Sequence, residues 1–373
     1  MEYHANRRNS GKAILIFPGG MPRSLEFLER CLRENQAVIG ASSLDYDVAR
    51  ERYPVWLRLP FVTAPEFGTA LAQAIRELNI GGVYSPNPVV WSYLNRNLQE
   101  IAPGIPLVND TIANVELSGY RAALNRARAT CSERPFGLAS SISARPGISE
   151  IELAALFRHA DCIPGMCDHE KVRALIEIGR YCAAGDVVEI GSWWGKSAFI
   201  LLRLAQIYGI GKVLCVDPWS DASLIQNDRN GLVDTASAQF SADEAFDVFK
   251  LNLLPYGAGD INYLRMPSTD GAAFYRAKQV VESEEFGKTD YSGHIALLHI
   301  DGNHRYENVR ADIEAWSVLV VDKGWIVIDD YTWPFGDGPR RAGDELLAAS
   351  GDRISCAFFM GGALFIQAGR GAG

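Results

Sequence analysis

The stretch Val187-Val188-Glu189-Ile190-Gly191-Ser192-Trp193-Trp194-Gly195-Lys196-Ser197 decides the fold. A short apolar run passes into a loop with two glycines, and the loop opens an apolar helix. Gly191 can take the tight turn that leaves a strand, and it lets backbone approach a ligand. Gly195 permits close packing where the helix starts, and Ser197 offers a hydroxyl or a cap. A phosphate loop is excluded, because Ile190 stands where its upstream glycine belongs. Trp193 likewise excludes Gly-x-Gly-x-x-Gly. Glu189 sits just before the loop, where a carboxylate can face a positively charged ligand. The next apolar run, 213–216, ends in Asp217-Pro218-Trp219. Asp217 can accept hydrogen bonds from both hydroxyls of a ribose. Alternatively, it caps the turn at the strand end.

Outward from this point the alternation continues. Residues 187–190, 213–216, 261–265, 295–300 and 325–328 read as strands. Residues 354–360 and 363–367 flank Gly361-Gly362 and read as a closing antiparallel hairpin. Helices are expected at 196–208 and 306–321, the latter with Val309, Ile313, Trp316 and Val320 as its apolar stripe. Towards the N-terminus, strands are expected at 13–17, 37–41, 55–61, 82–85 and 106–108, and helices at 24–34, 66–78 and 90–101. Such alternation implies parallel sheets covered by helices, the α/β class. The chain divides into a tail (1–11), a small α/β domain (12–110), a helical connector (111–180) and a second α/β domain (181–373).

A length of 373 residues suits two or three domains. With 48% hydrophobic and 22% charged residues, the chain is neither disordered nor fibrous. The net charge of −9 argues against a nucleic-acid partner. No apolar run reaches the ~18 residues of a membrane helix, and the N-terminal apolar run is too short for a secretory leader. Seven cysteines without repeated spacing read as free thiols in a reducing cytoplasm.

The pattern Glu189-x-Gly191-x-x-x-Gly195-x-Ser197, followed by Val216-Asp217-Pro218-Trp219, resembles class I S-adenosylmethionine-dependent methyltransferases. The similarity covers about residues 165–367. It is nearest the branch that holds the macrolide sugar O-methyltransferases and the cephalosporin-hydroxylase-like proteins. The resemblance implies a Rossmann-like, seven-stranded, mostly parallel sheet with a C-terminal hairpin. It also implies that Gly191, Ser192, Trp193 and Gly195 cradle the amino-acid part of the cofactor, with Glu189 and Ser197 beside them. Asp217, with Pro218 and Trp219, would hold the ribose, and Ser268 would lie near the adenine.

Two later clusters carry the chemistry: Ile300-Asp301-Gly302-Asn303-His304 and Ile328-Asp329-Asp330-Tyr331. Ligand sites in open α/β sheets form beyond the carboxyl ends of strands. Three carboxylates converging there repel one another unless a cation sits between them. Hard oxygen donors suit Mg²⁺, Mn²⁺ or Ca²⁺, with Mg²⁺ the expected ion. The other reading makes each aspartate a turn or helix cap. Asp301, Asp329 and Asp330 are similar to the metal triad of the sugar O-methyltransferases, and His304 matches the general base of one subgroup. That subgroup carries Glu-Asp where this chain has Asp329-Asp330; the other has Asp-Asp but lacks the histidine. His304 can otherwise cap the following helix or hydrogen-bond Asp301. His299, inside an apolar strand, reads as a core histidine.

The set His159, Cys162, Cys167 and His169 misses the usual zinc spacings, and capping explains much of it. The polar stretch 218–240 reads as a lid, and 278–293 as a solvated insertion. Pro18-Gly19-Gly20 is a weak nucleotide loop. The N-terminal domain looks like the small α/β domain that precedes ATP-grasp modules, although no such module follows; assembly or acceptor recognition is its expected role. The expected activity is metal-dependent O-methylation of a sugar, natural-product or glycan hydroxyl, by a homo-oligomer. The alternatives are a hydroxylase-like activity on the same fold and a non-catalytic binding module.

Overall fold

The computed structural model describes residues 11–133, 137–138, 140–228, 230–257 and 259–369. The expected tail therefore lies outside the described residues except for Gly11. The chain forms two compact units, 1–121 and 122–373.

The first unit runs β1 (Ala13–Ile16), α1 (Pro22–Arg33), β2 (Val38–Ser42), β3 (Trp56–Arg58), α2 (Phe67–Glu77), β4 (Ile80–Tyr84) and α3 (Pro88–Ile101). A long helix, α4 (Ile112–Ser132), follows. The sheet has the order β3-β2-β1-β4 and is parallel throughout. Residues 106–108 add only an isolated bridge, Val83 to Leu107. Helix α3 shows why the segment folds locally. Asn87 accepts hydrogen bonds from the N–H groups of Val89 and Val90, and Pro88 fills the first helical position. Val90, Leu94 and Leu98 then fall on one buried face. The Pro18-Gly19-Gly20 turn is filled by protein. A Cβ on Gly19 would meet the Trp56 ring at 2.8 Å, and one on Gly20 the Asp47 carboxylate at 2.6 Å. The glycines serve that close packing.

The second unit continues with α5 (Glu150–Ala160), α6 (His169–Arg180), β5 (Asp186–Ile190), α7 (Lys196–Tyr208), β6 (Val213–Val216), α8 (Leu232–Ser237), α9 (Ala242–Leu253), β7 (Ile261–Leu264) and α10 (Ser268–Ala277). It ends with β8 (Val280–Ser283), β9 (Gly287–Asp290), β10 (Ile295–Ile300), α11 (Tyr306–Trp316), β11 (Val320–Ile328), α12 (Gly338–Ser350), β12 (Ile354–Met360) and β13 (Ala363–Ala368). The seven-stranded sheet has the order β12-β13-β11-β10-β5-β6-β7. Strands β5, β6, β7, β10 and β11 are parallel, and β13 runs antiparallel to both its neighbours. Two buried apolar layers cover its faces. Residues of α5 and α6 belong to the layer that also holds Val187, Phe199 and Trp325. The segment expected as a separate connector is thus largely part of this unit, because its apolar faces have the sheet to cover.

Two expectations differ from the structure. The helix expected to 321 stops at Trp316, and Val320 begins β11. Residues 278–293 hold the hairpin β8–β9, with Val281, Phe286, Thr289 and Tyr291 buried, rather than a solvated insertion. The buried Asn262 amide stitches the hairpin to β7 by donating to the carbonyls of Val281 and Gly287, at 3.2 and 2.8 Å.

Candidate active site

The strand order reverses between β5 and β10, so the crevice of this sheet opens at their carboxyl ends. A staircase of backbone bonds aligns the strand-end residues there. Gly191 N–H donates to Val216, Asp301 N–H to Ile190, and Asp329 N–H to Ile300, all at 2.8–2.9 Å. Four adjacent strands therefore deliver Asp217, Gly191, Asp301 and Asp329 to one edge.

Gly191 has φ +81°, and a Cβ there would lie 2.2 Å from the Asp301 carbonyl oxygen. Its glycine requirement comes from the adjoining strand end rather than from a ligand. Gly195, at φ +86°, is the N-cap of α7, which has no side-chain cap. The Asp217 carboxylate accepts from three backbone N–H groups: Ser192 at 3.0 Å, Trp193 at 3.1 Å and Trp219 at 2.7 Å. This is the turn-capping role, extended to the Ser192 and Trp193 N–H groups of the glycine loop. Burial raises the Asp217 carboxyl above its ordinary range, against the pull of those three bonds. Trp219, expected beside the ribose, is buried in an aromatic cluster with Phe246, Phe249 and Tyr263. Its indole N–H donates to the Trp193 carbonyl at 2.9 Å, so it supports the loop from below. Pro218 is half-buried at the same turn, and Ser197 is buried in the first turn of α7. Trp193 and Trp194 pack against Phe240. The Ser268 hydroxyl, expected near the adenine, accepts from the Trp316 indole at 2.9 Å.

Beneath the loop lies a buried polar line. The Ser192 hydroxyl donates to Glu189 Oε2 at 2.6 Å. Register pairs Glu189 with His299 on β10, and His299 Nδ1 stands 3.2 Å from Glu189 Oε1. The angles do not complete that contact as a hydrogen bond, so Glu189 Oε1 and both His299 nitrogens are buried without a bonded partner. His299 Nε2 is 3.9 Å from Asp329 Oδ2. His299 is therefore flanked by two carboxylates, whereas the sequence suggested a satisfied core residue.

Asp301 belongs to two compact donor groups, one with His299 and Asp329, the other with His304 and Asp330. Among the described residues no single group unites Asp301, Asp329 and Asp330. The cause is local: Asp330 has φ +51°, a left-handed conformation that aspartate tolerates. The successive carboxylates consequently find different partners. Asp330 Oδ2 lies 3.0 Å from His304 Nε2. Asp329 instead pairs with Lys171, a residue of the first turn of α6 that sequence reading passed over. Lys171 is 2% exposed, and its Nζ is also 4.0 Å from Asp301 Oδ2. Burial pushes the Asp329 carboxyl up, but the Lys171 ammonium overrides this and holds it well below the usual range. Burial together with Asp329 pushes the Asp301 carboxyl well up, despite the ammonium. The cluster sets three carboxylates against the one Lys171 ammonium.

His304 is held on three sides. Its backbone N–H donates to Gln226 Oε1 at 2.7 Å, its Nε2 faces Asp330, and Trp333 meets the ring edge-on at 4.6 Å. With Nε2–H towards Asp330, the neutral ring carries its free lone pair on Nδ1, which is buried without a hydrogen-bond partner. Asn303 Nδ2 donates to the carbonyls of Ser223 and Ile225, at 3.1 and 2.8 Å. These bonds clasp the 220–228 loop over the carboxyl end of β10. The four residues weighed as a zinc set form no donor group among the described residues. His159 pairs with the Tyr256 hydroxyl, and His169 lies 3.3 Å from the Thr130 hydroxyl.

Residues 188–331 match the family model described as a methyltransferase domain. No curated protein matches the chain. Among solved structures the chain is similar to the O-methyltransferase NovP, at 16% identity over 67% of this chain and 98% of that one, with a TM-score of 0.37. It is also similar to CalS11, a TDP-rhamnose 3'-O-methyltransferase of calicheamicin biosynthesis, at 13% identity over 82% and 95%, TM-score 0.33. MycE, a methyltransferase of the mycinamycin pathway in complex with Mg and SAH, matches at 17% identity over 51% and 46%, TM-score 0.30. No described helix is long and apolar enough to cross a membrane. The family match thus places a methyltransferase domain at residues 188–331, within the second unit and its seven-stranded sheet.

Proposed function

We propose that the protein is a metal-dependent O-methyltransferase that acts on a hydroxyl of a sugar, natural-product or glycan acceptor. The observation that carries this reading is the meeting of Asp301, His304 and Asp330 at the strand edge next to the glycine loop. The residues fit both the cofactor and the dication. Glu189 Oε1 is an unpaired buried acceptor beneath the loop, and the first-turn N–H groups of α7 lack a side-chain cap. An amino group and a carboxylate suit those two positions. At the cluster, hard oxygen donors and excess negative charge suit a dication.

When bound, the cofactor supplies a methyl group on a cationic sulfur, and the dication lowers the pKa of an acceptor hydroxyl. The chain's own residues do the rest. Asp301 and Asp330 supply oxygen ligands. Asp330 also fixes the imidazole orientation, so that Nδ1 of His304 takes the hydroxyl proton. Asn303 and Gln226 hold the 220–228 loop against this segment, which limits water at the reacting atoms.

Calorimetric titration with S-adenosylmethionine and S-adenosylhomocysteine tests the reading, together with mass-shift assays on hydroxylated acceptors in the presence and absence of chelator. Binding of at least one of the two, and a methyl-mass gain that chelator abolishes, are expected. Failure of both to bind overturns the assignment, and undiminished turnover in excess chelator removes the metal.

A further inference from the structure

We propose that Lys171 is the fixed counter-ion of Asp329, leaving Asp301 and Asp330 as the carboxylates that hold the dication. The inference rests on the metal-dependent reading above and removes Asp329 from the ligand triad expected from the sequence. The resemblance to the sugar O-methyltransferases would enlist all three aspartates, but here Asp329 and Asp330 fall in different donor groups, with Asp301 in both.

Three observations carry the proposal. First, α6 delivers Lys171 to the site from outside the strand-end loops: Asp168 caps the helix by accepting from the Lys171 N–H, and the side chain turns inward. An ammonium 2% exposed is costly to bury without a partner, and Asp329 is the carboxylate it contacts directly. Second, the buried His299 lies 3.9 Å from Asp329, so this carboxylate faces two basic side chains as well as the Asp301 carboxylate. Third, Asp330 turns away from Asp329 and shares its donor group with Asp301 and His304. Charge agrees with this division. With all three carboxylates ionised, the one ammonium leaves a net −2, which a single dication balances. One or two carboxylates, completed by water and substrate oxygens, are a usual set for Mg²⁺. Lys171 is thus a positioning residue: it acts through Asp329 and the charge of the cluster.

The test uses the full chain and Mn²⁺ alone as probe, with bound and free ion counted by electron paramagnetic resonance. The variant Lys171→Met/Asp329→Asn removes both members of the buried pair, so neither charge is left unpaired. Its Mn²⁺ affinity should stay within about threefold of the parent, whereas Asp301→Asn and Asp330→Asn should each weaken it at least about 100-fold. Lys171→Met alone removes a positive charge 4.0 Å from Asp301 and should tighten Mn²⁺ binding at least about tenfold. Thermal melts and S-adenosylhomocysteine binding verify that each variant is folded. Loss of Mn²⁺ by a folded double variant, or unchanged or weaker binding by folded Lys171→Met, makes Asp329 a ligand and overturns the proposal. A parent protein that binds no Mn²⁺ overturns both this inference and the metal-dependent reading, and so the two failures are told apart.

Discussion

At Gly191 a methyl group would lie 2.2 Å from the Asp301 carbonyl oxygen, on a backbone at φ +81°. Gly191→Ala should therefore cost about 2–4 kcal/mol in denaturant unfolding, through clash and left-handed strain together. The sequence marks this glycine but not its reason, since the contact comes from a residue 110 positions later. Asp312 makes a second residue-scale case. Burial pushes its carboxyl up to about 6, although the Ser268 hydroxyl pulls the other way. An unfolded aspartate titrates near ~3.9. Between about pH 4 and 6 the folded state binds the extra proton, so this group's contribution to stability falls as pH rises through that window. Asp312→Asn should flatten that dependence and raise stability at pH 7 by about 2 kcal/mol, measured by urea unfolding across pH 4–8. His304→Gln should lower kcat at least ~100-fold while Mn²⁺ affinity is retained, which separates a base from a ligand. Asp301, His304 and Asp330 were legible because strand-end acids after apolar runs point to the crevice. Lys171 was not: Asp168-His169-Glu170-Lys171 reads as an ordinary helix start, and only the docking of α6 on the sheet turns the lysine inward.

The elements β5, β6, β10 and the C-terminal hairpin were legible because each is a short apolar run closed by glycine or aspartate. Helix α11 was read too long because Val320 continues its apolar spacing, although the chain turns at 317–319 into β11. The β8–β9 hairpin was missed for the opposite reason. Its charged outer face hides three inward residues, Val281, Phe286 and Thr289, and the Asn262 bonds that hold it come from β7. The loop after β6 belongs to the same scale. Its 220–228 part is tied down by Asn303 and Gln226 rather than by a buried apolar face. Segments held that way open at low cost. Asn303→Ala should speed amide exchange in residues 220–228 and raise the acceptor KM about five- to tenfold. The melting temperature should stay nearly constant, because each lost hydrogen bond is worth only ~0.5–1.5 kcal/mol. Unchanged exchange in that loop would refute its role as a lid.

The two units have separate buried clusters, one built on β1, β2, β4, α2 and α3, the other on the seven-stranded sheet. Every residue given a role in cofactor, metal or proton handling lies in the second. A unit with its own core has what independent folding requires. A chain beginning at residue 111, which keeps the whole of α4, should therefore unfold cooperatively and bind S-adenosylhomocysteine within about threefold of the full-length value by calorimetry. Among the described residues the first unit carries no comparable cluster, and its glycine turn is filled by Trp56 and Asp47. If that unit serves acceptor recognition, the shortened chain should bind cofactor and Mn²⁺ normally yet lose methyl transfer at low acceptor concentration. The loss should appear as a raised acceptor KM, with kcat at saturating acceptor nearly preserved, because the reacting groups are untouched. A fall in kcat with KM unchanged would instead mean that the first unit shapes the reacting site itself.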